Sequence, residues 1–134
     1  MTESAESPQR DSARTDPAIR VVMMPRDTNP QGTIFGGVIL SLIDQAAFNE
    51  ACHTAAERFV TVAMNGVEFH QPVHVGDIVS LYSETTRIGR TSITVHVEVF
   101  ARSREKWSEI KVTEADVTMV AVGEDGRPTP IKPR

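Results

Sequence analysis

Asp44 is a carboxylate in greasy company. On a helix it shares its face with Leu40, Ala47, Phe48 and Ala51. An unpaired charge there is costly to bury. Such an acid salt-bridges an arginine, opens onto a wet cavity or edge, or gives up its charge. The segment before it turns the reading towards chemistry. Arg26 to Phe35 is polar, is broken by Pro30 and Gly32, and runs without pause into Gly36-Gly37. Glycines leave their N–H groups unshielded, and a helix start carries partial positive charge. Amides placed there can hold a developing oxyanion, and one well-aimed donor contributes about 3–4 kcal/mol to a transition state. Asp44, two turns further on, can activate water or attack the carbonyl directly. Asn29 can orient the water or the carbonyl, although Asn before Pro is also ordinary turn chemistry. This pattern points to acyl chemistry.

A second group suits a different moiety. Arg87-Ile88-Gly89-Arg90-Thr91-Ser92 places two guanidiniums and two hydroxyls around a glycine at a hairpin turn. Guanidinium forks fit phosphate bidentately, though a basic hairpin tip is often only solvated. The histidines do not form a metal set. His70 and His74 flank Gln-Pro-Val, and Pro72 forbids a helical pair there. His53 and His96 are read as surface or turn residues. Cys52, with only His53 as a basic neighbour, reads as a small buried hydrophobe. No metal is expected.

The elements that must position these residues follow from periodicity. Residues 1–16 are rich in Ser, Glu, Asp and Arg and have almost nothing to bury, so they read as a disordered tail. A short strand over Ile19 to Met24 and a loop over Pro25 to Phe35 precede a helix from Gly36 to about Ala55. That helix is apolar nearly all round, which marks it as buried. From Phe59 the period becomes two, clearest where Ile93, Val95, Val97, Val99 and Ala101 alternate with Ser92, Thr94, His96 and Glu98. The apolar parity slips at Asn65-Gly66 and again at Thr113-Glu114, two expected β-bulges that bend the sheet. Asn65-Gly66 and Glu68 are candidates to face an acyl pocket. Trp107 falls in the polar turn 103–107, as an interface residue or a plain turn residue.

The fold class is therefore α+β: an antiparallel sheet wrapped around one long central helix, over residues 17–134. One layer leaves a sheet edge and part of the helix uncovered, which favours a dimer through edge pairing.

Composition narrows the function. With 134 residues, 40% hydrophobic and 24% charged, the chain is an ordinary single domain. A net charge of −4 offers no basic field for nucleic acid or an anionic membrane. There is no apolar run long enough to span a bilayer and no secretory signal pattern, and one cysteine fits a reducing compartment. The expected location is cytoplasmic.

The run Asp27-Thr28-Asn29-Pro30-Gln31-Gly32-Thr33-Ile34-Phe35-Gly36-Gly37, followed by Leu42-Ile43-Asp44, resembles the signature of bacterial acyl-CoA thioesterases of the YciA type. These are hotdog-fold enzymes related to mammalian cytosolic acyl-CoA hydrolases. The likeness continues through Val60-Thr61-Val62, Phe69-His70-Gln71-Pro72-Val73 with Gly76-Asp77, Arg87 to Ser92, Thr113-Glu114-Ala115, Val120-Ala121-Val122 and Gly126-Arg127-Pro128. It spans roughly Ile19 to Ile131, and the motifs are specific taken jointly.

The resemblance implies a hotdog fold and hydrolysis of acyl-CoA thioesters with no metal or cofactor, coenzyme A being part of the substrate. It also implies a homodimer with two interfacial sites, often assembled as a trimer of dimers. The catalytic Asp maps to Asp44 and the loop Asn to Asn29, contributed by opposite subunits. Gly36 and Gly37 then polarise the carbonyl, while Arg87, Gly89, Arg90, Thr91 and Ser92 meet coenzyme A. Gly123 and Asp116 depart from the pattern; Gly123 stands where an Asp is common, and Asp116 interrupts an apolar strand. Two alternatives stay open. A hotdog hydratase or dehydratase would need a histidine–acid pair that the loop lacks, and a non-catalytic acyl-CoA sensor would bind without turnover.

Overall fold

A computed structural model describes residues 16–134, so the tail expected over 1–16 lies almost wholly outside the described residues. The elements run β1 (Ile19–Val22), a 3₁₀ turn (Pro25–Asp27), α1 (Gly36–Thr54), β2 (Arg58–Phe69), β3 (Ile78–Ile88), β4 (Ser92–Arg102) and β5 (Ile110–Val122). All pairings are antiparallel, in the order β1-β3-β4-β5-β2. This is the single helix in a curved sheet that the sequence predicts. No helix among the described residues is long and apolar enough to cross a membrane.

The alternating β-branched residues explain the wrapping. Val95, Val97 and Val99 of β4 and Ala115, Val117 and Met119 of β5 turn inward against Ile39, Ile43, Ala46, Ala47 and Ala51 of α1. Each large side chain so buried contributes roughly 1.5–3 kcal/mol, and the alanines let the helix lie close to the sheet. Only one face of α1 is covered, however. Phe48 is 47% exposed, so the helix expected to be buried all round is half-wrapped within one protomer. Cys52 is likewise only half-buried; its carbonyl accepts a hydrogen bond from Arg134 Nε at 3.0 Å.

Bulges bend the strands where the parity slips. Gly66 has φ +63° at the register shift between Asn65 and Glu68, a conformation that favours glycine. The slip expected at Thr113-Glu114 sits slightly earlier, with Val112 left between the cross-strand pairs Phe100–Lys111 and Val99–Thr113. A further shift lies at Thr85/Arg87 of β3. There Glu50 of α1 fixes the kink, its Oε2 accepting from Thr85 Oγ1 at 2.8 Å and from the Thr85 amide at 3.3 Å.

The outer face of β3, β4 and β5 is largely polar, with an aromatic pair at one end. Tyr82 and Phe100 meet edge-to-face with centroids 5.7 Å apart, and Arg20 donates to Ser80 Oγ and the Tyr82 hydroxyl beside them. Trp107 sits in its turn, 58% exposed, with the Arg102 guanidinium 4.8 Å from its ring. Asp116 points to this outer face, where His96 Nδ1 lies 2.8 Å from its Oδ1, so it leaves the inward apolar register of β5 intact.

Candidate active site

The loop that leads into α1 is built around Asn29. Its Oδ1 accepts from the amides of Gln31 at 2.9 Å and Thr33 at 3.1 Å, and its Nδ2 donates to Thr33 Oγ1 at 2.9 Å. The Asn29 amide donates to the Thr33 carbonyl, and Gly32 closes the turn at φ +88°. Turn chemistry therefore occupies both oxygen lone pairs and one amide hydrogen. What Asn29 retains is a single N–H, so it can donate to a carbonyl or a water oxygen but cannot accept from either.

The loop delivers the chain into the helix with its first amides open. Phe35, the N-cap, supplies no side-chain acceptor, and its carbonyl takes the amides of Val38 and Ile39 at 3.1 and 3.4 Å. The amides of Gly36 and Gly37 meet no acceptor among the described residues, as the first turn of an uncapped helix requires. A methyl group at Gly36 would lie 3.3 Å from Phe69 Cζ, whereas one at Gly37 would meet nothing within 4 Å. Gly36 is thus roofed by an aromatic ring and Gly37 is open. Beside them Ile34, Ile39, Phe69, Pro72 and Val73 line a recess of about 350 Å³.

Asp44 opens onto a different recess, of about 560 Å³, with Phe48, Phe59, Thr61, Met119 and Ile19. Thr61 of β2 donates from Oγ1 to Asp44 Oδ1 at 2.6 Å. Of the alternatives open to a carboxylate in this setting, the structure takes a hydrogen-bond partner together with a cavity. Thr61 is the contributor that sequence reasoning missed. Its only signal is its place in β2, one residue from Val60 and Val62 and turned to the opposite face.

The two recesses are separate within one protomer. At 1.5 Å rise per residue, Gly36 and Asp44 stand roughly 12 Å apart along the helix axis. A carbonyl held on the Gly36 and Gly37 amides is therefore out of reach of the same chain's Asp44, contrary to a grip by one helix alone. Each protomer presents its open amides and its carboxylate at two separate places.

The hairpin of Arg87 to Ser92 is tight. The Gly89 amide donates to the Ser92 carbonyl at 2.7 Å, and a methyl group at Gly89 would come within 3.0 Å of Ser92 Oγ. Arg87 and Arg90 are exposed, and neither has an acidic partner among the described residues. The hairpin lines neither recess. Glu68, a candidate for an acyl pocket, instead faces outward as the cross-strand neighbour of Glu114.

The thioesterase superfamily model matches residues 31–108. An uncharacterized acyl-CoA thioester hydrolase of Zymomonas mobilis is 44% identical over 118 residues, covering 88% of this chain and 79% of that protein. The acyl-CoA thioester hydrolase YciA of Salmonella typhimurium is 40% identical over 116 residues, covering 84% of this chain and 87% of its own. Among solved structures, a hexameric hotdog fold thioesterase of Campylobacter jejuni superposes with a TM-score of 0.81 at 48% identity, over 87% of this chain and 90% of that one.

Proposed function

The chain belongs to the thioesterase superfamily, and from that premise we propose that it hydrolyses acyl-CoA thioesters at sites which two protomers build together. The observation that carries this is the division of the chemistry along α1. Open amides lie at Gly36 and Gly37, a carboxylate held by Thr61 lies two turns on, and the two face separate recesses. A second copy completes each half. The edge strand β2 exposes Val60 (44%) and Val62 (57%), and α1 leaves Phe48 exposed. A solvent-facing apolar edge of this kind is covered by pairing with its equal. Assembly of three such dimers would match the hexamer that the Campylobacter jejuni relative forms.

In this reading the thioester carbonyl oxygen accepts from the amides of Gly36 and Gly37, with the remaining Asn29 N–H beside it. Asp44 of the partner subunit takes a proton from water as the oxygen adds to the carbonyl carbon. Collapse of the adduct breaks the C–S bond, and the proton passes to the departing coenzyme A thiolate. Direct attack by Asp44, with water then cleaving an anhydride, uses the same geometry. No cofactor enters either route. Release of free thiol across a panel of acyl-CoAs tests the function, and tight binding without release would favour the sensor reading.

Thr61 positions the carboxylate in this scheme. A hydrogen bond to a charged group contributes about 1.5–3 kcal/mol, so Thr61→Val lowers kcat roughly 10- to 100-fold with KM little changed, and Thr61→Ser restores most of it. The basic hairpin is the handle for coenzyme A. Arg90→Ala is expected to reduce kcat/KM on coenzyme A esters about 10-fold while sparing a short acyl-pantetheine. Equal losses on both substrates would remove the hairpin from the binding site.

A further inference from the structure

The outer face of the sheet carries a row of charged side chains to which the hydrolytic scheme above assigns no role. Cross-strand register sets Glu98 of β4, Glu114 of β5 and Glu68 of β2 directly abreast. Like charges facing one another across strands are destabilising, so the row needs cations. Lys111 supplies one at its β4 end, with Nζ 3.1 Å from Glu98 Oε2 and 3.5 Å from Glu114 Oε1. His96 closes the same side, with Nε2 3.3 Å from Glu114 Oε1. Glu114 turns its other oxygen away from this group. Oε2 lies 2.9 Å from His70 Nε2, and the same ring nitrogen is 3.7 Å from Glu68 Oε1. Among the described residues no lysine or arginine meets Glu68, so at the β2 end of the row one imidazole stands between two carboxylates.

We propose that Glu68, His70 and Glu114 form a divalent-metal site of the class that takes Zn²⁺. One imidazole and two carboxylates are an ordinary donor set for that ion. Ligand atoms held at about 2.0–2.1 Å around a tetrahedral ion stand roughly 3.3 Å apart, and the 2.9 and 3.7 Å separations fall on either side of that distance. The three donor atoms all lie within 4.8 Å of one another. His96, Glu98 and Glu114 show the same spacing, but the Lys111 ammonium already fills that half of the row. The metal therefore belongs on the His70 side, with water in its remaining position. Its two glutamates lie on the sheet face opposite α1, while His70 also borders the recess beside Gly36; the test reads metal binding and not turnover, so its outcome does not depend on the thioesterase reading.

The test titrates the chelator-treated full chain with zinc chloride by calorimetry. One ion per chain is expected, with affinity reduced at least ~10-fold in His70→Ala and in Glu68→Gln, as losing a ligand exceeds the usual loss of a supporting contact. His96→Ala leaves affinity unchanged. Histidine side-chain nitrogen NMR of the unsubstituted protein gives a readout that needs no variant, because the His70 ring resonance shifts on saturation. Absence of saturable binding at millimolar metal overturns the proposal. So does binding that survives both His70→Ala and Glu68→Gln, or that is lost in His96→Ala and kept in His70→Ala.

Discussion

Asp44→Asn abolishes nearly all hydrolysis of acyl-CoA, with kcat falling roughly 10³-fold, while the fold and the binding of coenzyme A persist. General-base assistance contributes typically 10²–10⁴-fold, and nucleophilic attack would be lost outright. The substitution is nearly isosteric and keeps an oxygen to accept from Thr61 Oγ1, now at 2.6 Å from Asp44 Oδ1. A half-buried charge is exchanged for an amide in a setting that already holds one hydrogen bond, so the melting temperature should change little. The measurement is steady-state thiol release from a short-chain acyl-CoA alongside a thermal melt. Turnover within a few-fold of the unsubstituted protein would mean that the carboxylate takes no part in the proton transfer.

The features that place Asp44 were legible because they are local. A glycine pair followed by apolar residues at helical spacing announced α1 from Gly36 to about Ala55, and the helix ends at Thr54. The bulge at Asn65-Gly66 announced itself because glycine alone tolerates that φ cheaply and because the apolar parity reverses across it. Strand β2 was harder. Val60, Val62 and Met64 look like a core face, yet Val60 and Val62 are exposed while Phe59 is buried. In the proposed dimer β2 would meet a second copy on the apolar side that a single chain leaves bare, and alternation cannot say which side that is.

Contacts between distant strands stayed out of sight for a different reason. Thr61 and Asp44 are brought together by the packing of β2 over α1, and nothing in a lone hydroxyl in a strand marks it as the partner of a carboxylate. His70 and His96 stand far apart in sequence, but both reach Glu114 because β2, β4 and β5 lie side by side. The consequence is measurable in the acid itself. Burial alone would raise the Glu114 pKa, but the His70 hydrogen bond and the charges of Lys111 and His96 together outweigh it and hold the carboxyl below its ordinary range.

The sharpest consequence of a divided site is complementation between two inactive chains. Gly37→Pro deletes one of the two open amides at little structural expense. A Cβ at that position meets nothing within 4 Å, the amide has no partner to lose among the described residues, and proline is tolerated in a first helical turn. Loss of one oxyanion donor costs about 10²–10³-fold in kcat, so this variant, like Asp44→Asn, is nearly silent alone. Unfolding and refolding the two together in equal amounts makes half the dimers mixed. In a mixed dimer one site receives both lesions, and the other receives an intact helix start from one subunit and an intact Asp44 from its partner. About a quarter of the unsubstituted activity should therefore return, a gain of roughly 25- to 250-fold over the parents. Were a single chain to supply both groups, every site would carry one lesion whatever its partner, and mixing would restore nothing.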